Sequence, residues 1–355
     1  MRVLYDTTAA QLTAAGVGRY VTTLADALAA VPAVEVQRVA APAGGRVAAG
    51  LRREAVYYPA GLGRLARRRR ADVVHCPGPS GPRRMPVPLV VTVHDVIPLR
   101  FPHLFTRVNA AHFRLVAAPA ARRAARVIVS TEFTGREVAD LLGVDPRRIA
   151  VTPWGIDPRF HPVPVDRDDL ARRHGLPPRY VLCVGTLEPR KNLVTLLRAF
   201  REVRRRHGDV ALAAVGGAGW RDDELLAALG GAPEGVVRLG FVPDDDLVAL
   251  YAGASCFAFP SLYEGFGFPP IEAMACGAPV VASDASCLPE VLGDAALLVA
   301  PHDEAGLAGA ITRVLDDPAL AADLRARGLA RAASHRWDEC ARLTAAAYAD
   351  AMADA

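Results

Sequence analysis

Pro260-Ser261-Leu262-Tyr263-Glu264-Gly265-Phe266-Gly267-Phe268-Pro269-Pro270-Ile271-Glu272-Ala273-Met274-Ala275-Cys276-Gly277 decides the fold of its half of the chain. Just before it, Cys256–Phe259 is a short, wholly apolar run of the kind that forms a buried strand. Within it, Pro269 and Pro270 suit the first turn of a helix, where a missing amide hydrogen costs nothing. Strand, loop and helix in direct succession make a βα unit, and ligands meet such units at the carboxyl end of the strand. Gly265 and Gly267 let backbone amides approach a ligand closely, and the amino end of the helix favours an anionic group. Glu264 and Glu272 have seven residues between them, one in the loop and the other about a turn inside the helix. They can hold hydroxyls at two ends of an extended ligand. In isolation the same two acids would read as a dipole carboxylate and a solvated helix residue. The glycine-proline framework around them favours the ligand.

The alternation of short β-branched runs with amphipathic helices extends in both directions, which is the pattern of parallel βαβ units. Strands are expected at Arg2–Tyr5, Val34–Val39, Asp72–His75, Leu89–Val93, Arg126–Val129 and Ile149–Val151. A second set follows at Tyr180–Gly185, Val210–Val215, Val236–Leu239, Cys256–Phe259, Pro279–Ala282 and Ala296–Val299. Helices are expected between them, including Arg19–Ala30, Leu62–Arg70, Arg107–Ala125, Thr134–Leu142, Asn192–His207, Asp222–Leu229 and Asp244–Ala252. Glu304–Leu315, Pro318–His335 and Trp337–Met352 close the chain. Between the two sets, Thr152 to Pro178 holds six prolines and reads as a linker without regular elements. The expected architecture is α/β: two doubly wound, Rossmann-like domains, 1–160 and 161–335, with their strand carboxyl ends facing across a cleft. Residues 336–355 form a final helix.

Composition agrees with two domains and excludes other classes. At 355 residues, 52% hydrophobic and 23% charged, the chain can bury two cores and is not disordered. No apolar run reaches the roughly 18 residues that span a bilayer. Met1 to Asp6 lacks the basic start and apolar core of a signal peptide. The six cysteines show no CxxC pair and read as small core residues of a reduced, cytoplasmic protein. Charge is uneven: 23 arginines face 11 acids through Phe160, a net of +12, and the remainder carries −8. The arginine runs are either solvated helix faces or a surface drawn to phosphates or to anionic lipid head groups, the last of which would make the protein membrane-peripheral. Sparse aromatic interleaving excludes a nucleic-acid platform.

Among 41 arginines there is one lysine, Lys191, beside Arg190 at the expected start of a helix. A point charge retained where arginine is otherwise universal marks a chemical demand, because ammonium and guanidinium groups differ in shape and hydration. Two adjacent cations at a strand carboxyl end suit a diphosphate. Gly16-Val17-Gly18 is a partial dinucleotide fingerprint lacking the third glycine, so a plain turn and a phosphate-adjacent loop both remain open. His94-Asp95 ends an expected strand, where His94 either donates to a sugar hydroxyl, acts near the reacting centre or serves a structural turn. Asp166-Arg167-Asp168 falls in the linker and Asp244-Asp245-Asp246 reads as helix-opening acids, so neither is read as a metal site.

Gly185-Thr186-Leu187-Glu188-Pro189-Arg190-Lys191-Asn192-Leu193, the Tyr263-to-Gly277 block and Leu288-Pro289-Glu290-Val291 resemble the retaining GT-B glycosyltransferases of family GT4, most of all the bacterial mannosyltransferase-like members. Gly18-Arg19-Tyr20, Val93-to-Pro98, Gly155-Ile156-Asp157 and Leu239-to-Pro243 extend the match nearly end to end. The resemblance implies transfer of a hexose from a nucleotide-diphosphate sugar, GDP-mannose first and a UDP-sugar next, without metal or other cofactor. The acceptor would be a glycan, a lipid-linked glycan or a small molecule. It also implies roles. Glu264 would contact the transferred sugar beside the amides of Gly265, Phe266 and Gly267, and Glu272 would hold the ribose. Arg190 and Lys191 would neutralise the diphosphate, and Val242 and Pro243 would line the base pocket. Gly16 and Gly18 would lie against phosphates or acceptor, His94 would reach the donor sugar, and the last helix would cross back to the first domain. A non-catalytic sugar-nucleotide binder and an NAD-type oxidoreductase are the competing readings, and the incomplete glycine fingerprint counts against the second.

Overall fold

The computed structural model describes the chain except residues 13–15, 43–49, 51, 79, 83, 105–110, 112 and 218–232. It divides into two compact units, Met1–Gly155 with Arg336–Ala355, and Ile156–His335.

Each unit is built on a six-stranded parallel sheet. The first has strands β1 (Arg2–Asp6), β2 (Glu35–Val39), β3 (Val73–Cys76), β4 (Leu89–Thr92), β5 (Arg126–Val129) and β6 (Ile149–Val151), in the order β2-β1-β3-β4-β5-β6. The second has β7 (Tyr180–Val184), β8 (Ala211–Val215), β9 (Val236–Gly240), β10 (Cys256–Phe259), β11 (Val280–Ser283) and β12 (Ala296–Val299), in the order β12-β11-β10-β7-β8-β9. The twelve expected strands all form, with ends moved by one residue at most. Central strands such as β3, β4 and β8 are buried along their whole length, as an all-parallel sheet covered on both faces requires. Strand order reverses between β1 and β3 in the first sheet and between β7 and β10 in the second, so each sheet has one crevice at its carboxyl edge.

Helices follow where amphipathic faces are present. Leu193–Arg206 buries Leu193, Leu196, Leu197, Phe200 and Val203 against the second sheet and ends in three arginines, which favour the carboxyl end of a helix dipole. Glu132–Leu142 starts on the Thr131 hydroxyl and stops at Gly143, which is left-handed. The final helix, Trp337–Ala353, belongs to the first unit. It buries Cys340, Ala341, Thr344, Ala347, Tyr348 and Ala351, and Tyr348 Oη pairs with His75 Nδ1 at 2.7 Å. The first unit's main segment closes at Gly155, ahead of the residue 160 suggested by proline density. Gly155 lies so tightly under Trp337 that a Cβ there would stand 2.4 Å from the Trp337 nitrogen.

Two expectations need correction. The proline-rich stretch is not free of regular structure: Arg167–His174 is a helix, capped by Asp166, whose carboxylate accepts from Asp169 N at 2.9 Å, and ended by left-handed Gly175. Its flanking prolines, Pro164 and Pro177, lie outside it. The helix of the Arg107–Ala125 pattern is a wide turn, Phe113–Ala117, followed by Ala118–Arg123. The rest of that pattern, up to 112, and the helix expected at Asp222–Leu229 lie wholly or largely outside the described residues. All six cysteines are buried and unpaired. No helix among the described residues is long and apolar enough to cross a membrane.

Candidate active site

The crevice of the second sheet lies between β7 and β10, and the loops leaving these two strands carry Arg190, Lys191 and Glu264. After β7 the chain makes a single turn, Pro189–Lys191, and Asn192 then takes φ 56°. Asparagine tolerates that left-handed geometry. Its amide ties the loops together: Nδ2 donates to Pro260 O at 3.1 Å and Pro301 O at 2.6 Å, and Oδ1 accepts from Thr195 Oγ1 at 2.8 Å. Leu262 N donates to Arg190 O at 2.8 Å, and Arg190 Nη1 donates to Tyr263 O at 2.6 Å. The two loops are thereby one rigid body.

Charge converges on a single atom there. Glu264 Oε1 accepts from Lys191 Nζ at 2.7 Å and from Ser261 Oγ at 2.6 Å, and Arg190 Nη1 lies 2.8 Å away. Burial by itself would raise the pKa of Glu264, but Arg190 and Lys191 outweigh it and hold the carboxyl at about 2. Arg190 also pairs with buried Glu188, so two cations face two carboxylates. The Lys191 ammonium stands over the Phe259 ring, 4.8 Å from its centroid. Its stem lies along Gly185, where a Cβ would come within 3.4 Å of it.

The loop backbone is fixed as firmly. Gly267 takes φ +92° as the helix Phe268–Ala275 begins, and a Cβ there would meet Leu288 at 2.9 Å. Glu264 N donates to Ser286 Oγ at 2.9 Å, and Ser286 itself has φ 53°. Of three non-glycine residues with positive φ among those described, two, Asn192 and Ser286, are in this site. Such conformations persist where surrounding bonds over-determine them. Glu272 is buried one turn into the helix and accepts from Tyr251 Oη at 3.2 Å. Gly265 and buried Phe266 complete the loop, and the Phe266 ring packs against Phe268. Val242, buried, and Pro243, exposed, follow β9 two strands from β7, and Pro243 precedes the helix Asp244–Gly253.

Sequence reading singled out Arg190, Lys191, Glu264 and Glu272, and the first three are in contact. It passed over Ser261, Glu188 and Ser286. Ser261 and Glu188 stand within three residues of chosen positions, but only the fold shows that they bond to them. In the two DxD matches, Asp166 caps a helix, Asp244 pairs with Arg159, and Asp246 pairs with Arg173.

The first unit carries His94 and the glycine turn. Gly16 and Gly18 lie in the first turn of the helix Gly16–Ala29, which begins three residues earlier than its pattern suggests. His94 is buried, its ring packed edge-on against Tyr20 at 5.0 Å and Trp154 at 5.2 Å. Burial lowers its pKa to about 4, so the imidazole is neutral near pH 7. Nε2 lies 3.1 Å from Pro77 O, and a carbonyl only accepts. The proton is therefore on Nε2 and Nδ1 is a bare acceptor. In that tautomer His94 would accept from a hydroxyl rather than donate to one. The crevice of the first sheet is closed differently. Asp6, at the end of β1, accepts from Thr8 N at 3.0 Å, from the Thr8 hydroxyl, from Tyr57 Oη at 3.2 Å and from Tyr58 Oη at 3.1 Å.

Comparison with known proteins now decides the family. Residues 166–331 match the family described as Glycosyl transferases group 1, and residues 14–160 match Glycosyltransferase Family 4. The O-antigen chain mannosyltransferase B of Escherichia coli is 35% identical over 73% of this chain and 69% of its own. The chain belongs to glycosyltransferase family 4. The serotype-specific mannosyltransferase WbdA of Escherichia coli is 30% identical to this glycosyltransferase over 73% of the present chain and about a third (33%) of its own length. Among solved structures, sucrose-phosphate synthase from Thermosynechococcus elongatus superposes with a TM-score of 0.78 at 21% identity, covering 100% of both chains. Anabaena HepE, in complex with UDP-glucose, superposes at 0.73 and 21% identity, covering 98% of this chain and 99% of its own. At that identity the likeness concerns the fold, which is the GT-B fold.

Proposed function

We propose that the protein transfers a hexose from a nucleotide-diphosphate sugar to a hydroxyl group, with retention of configuration and without a metal ion. The observation that carries this reading is the convergence of Arg190 and Lys191 on Glu264 at the crevice of the second sheet. A leaving diphosphate accumulates negative charge as the glycosidic bond breaks, and preorganised cations in a water-poor site stabilise that charge most. Arg190 and Lys191 take the diphosphate, and Glu264, held ionised, accepts from hydroxyls of the sugar. The sugar–phosphate C–O bond breaks, the acceptor oxygen bonds the same face of that carbon, and its proton passes to the departing phosphate oxygen. Glu272 takes the ribose hydroxyls and Val242–Pro243 the base, two strand spacings (about 10 Å) from β7, within reach of a nucleoside diphosphate. Gly265, Phe266 and Gly267 supply amides at the start of a helix. The first unit, with Gly16, Gly18 and His94, takes the acceptor.

GDP-mannose is the favoured donor because a relative 35% identical to this chain is named a mannosyltransferase, and a UDP-sugar comes next because HepE was solved with UDP-glucose. The arginine excess through Phe160 suits an acceptor presented at an anionic cytoplasmic membrane face, and a soluble glycan or small molecule is the other acceptor class. The test is Glu264→Gln, which keeps shape and removes charge. Transfer should fall by about 10²–10³-fold with nucleotide affinity retained. Turnover near the wild-type rate refutes the assignment.

A further inference from the structure

Glu188 lies two residues before Arg190 on the same loop, is buried, and pairs with the Arg190 guanidinium through Oε1 and Nη2. The transfer reaction as drawn above gives this acid no task. Its place in the chain offers an ordinary one, because Glu188 precedes the turn Pro189–Lys191, where a side chain commonly accepts from the first amides. Glu188 does not do so. Its backbone carbonyl accepts from Lys191 N at 3.0 Å, and its side chain makes no capping bond. The carboxylate is turned to Arg190 instead. A buried ion pair is seldom more stabilising than apolar side chains of similar volume, so this pair calls for another reason.

Arg190 supplies that reason. A guanidinium is a planar fork, and bonds to two of its nitrogens fix both its place and its plane. Nη2 is held by Glu188, while Nη1 donates to Tyr263 O at 2.6 Å and lies 2.8 Å from Glu264 Oε1. The two carboxylates differ in what else they serve. Glu264 comes from the other loop, and its Oε1 is shared among Arg190, Lys191 and Ser261. Glu188 belongs to Arg190's own loop, which Leu187 N ties to Gly217 O at 3.0 Å, and its side chain is the more deeply buried. A donor that draws Glu264 to its sugar therefore leaves Glu188 in place on Arg190.

Resting on the transferase reading, we propose that Glu188 is a positioning residue: it holds Arg190 in the orientation that meets the donor's diphosphate and keeps it there when Glu264 turns to the sugar. Orientation matters at this scale, since a misplacement of about 1 Å can cost about 10²-fold in rate.

The full-length protein is titrated calorimetrically with GDP, GMP, UDP and UMP. The ratio of diphosphate to monophosphate affinity isolates contacts to the second phosphate, and a merely structural change weakens both nucleotides alike. Glu188→Ala should lower that ratio by about tenfold, the size expected of one charge-assisted hydrogen bond. Glu188→Gln, which still accepts from Nη2, should stay within about twofold of wild type. With Arg190→Met in place nothing remains to be positioned, and Glu188→Gln and Glu188→Ala should then give the same ratio. Should Glu188→Ala fold poorly, Glu188→Asp keeps the charge, draws it back by one methylene and should lower the ratio by at least about threefold. An unchanged ratio in Glu188→Ala or Glu188→Asp overturns the role. So does a loss in Glu188→Gln as large as in Glu188→Ala, or a difference between the two that persists with Arg190→Met. If neither diphosphate binds the wild type, the transferase reading fails and takes this role with it. If one binds and the ratio does not respond, only the positioning role fails.

Discussion

Each sheet of this molecule buries carboxylate at the crevice where its strand order reverses, and two of these groups, Asp6 and Glu264, are treated in opposite ways. Asp6, at the end of β1, is surrounded by neutral donors: the Thr8 amide and hydroxyl and the hydroxyls of Tyr57 and Tyr58. Burial raises its pKa, and the hydrogen bonds only partly oppose it. Glu264, beyond β10, is surrounded by two cations and a serine, and its pKa is pulled down to about 2. The carboxyl-edge crevice thus holds a hydroxyl-bound carboxylate in one unit and an ion-paired carboxylate in the other. What differs is the partner: a tyrosine hydroxyl satisfies a carboxylate and has nothing left to offer a diphosphate, whereas an ammonium or guanidinium can exchange one anion for another.

The comparison breaks most visibly when one cation is removed. Lys191→Met keeps the stem along Gly185 and leaves the buried Glu264 charge with less compensation. The expected loss of stability is about 3–5 kcal/mol in denaturant unfolding. Adding Glu264→Gln should return most of it, because the uncompensated charge goes with it. A loss below about 1 kcal/mol for the single variant would mean that Arg190 alone balances the carboxylate. Ser261→Ala is the next largest. It removes one hydrogen bond to a charged group, a cost of about 1.5–3 kcal/mol. Donor affinity should change little, since no cation is lost. A collapse of donor affinity with stability intact would make Ser261 a ligand contact instead.

How much of this was legible in the sequence follows from the range over which each signal acts. The twelve strands could be read because a strand buried on both faces must be a short apolar run, whatever its neighbours are. Arg190, Lys191 and Glu264 could be read because each of the two βα loops that bear them is local, with its glycines and prolines in plain order. The helix Arg167–His174 was hidden by the prolines on either side, although Asp166 three residues before Asp169 is a local cap signal. The Asp6 joint could not be read at all. Tyr57 and Tyr58 are 51 and 52 positions from Asp6, and only strand order brings them to the end of β1. The same holds for Ser286, 22 positions from the Glu264 amide it receives, and for the tautomer of His94, which depends on a carbonyl 17 positions away.

The smallest effect is the sharpest test of the comparison, because its sign differs between the two units. Glu264 has a folded-state pKa of about 2 against 4.5 for the free group. Its contribution is complete above 4.5 and is lost as pH falls toward 2, so the stability of the wild type over Glu264→Gln should shrink across that range. Asp6 has a folded-state pKa above its ordinary 3.8. The folded protein then takes up its proton before the unfolded chain does, and the stability of the wild type over Asp6→Asn should grow as pH falls toward 3.8. Each slope is bounded by about 1.4 kcal/mol per pH unit, one proton's worth. Burial depresses His75 to about 3 and His94 to about 4, so both destabilise the fold as pH drops below 6.5. They do so equally in wild type and variants and cancel in each difference. Denaturant unfolding at half-unit steps between pH 6 and pH 3 measures both. Two slopes of the same sign would mean that Asp6 is held as a charged group like Glu264, and that the first crevice has a cation the hydroxyl-lined joint does not account for.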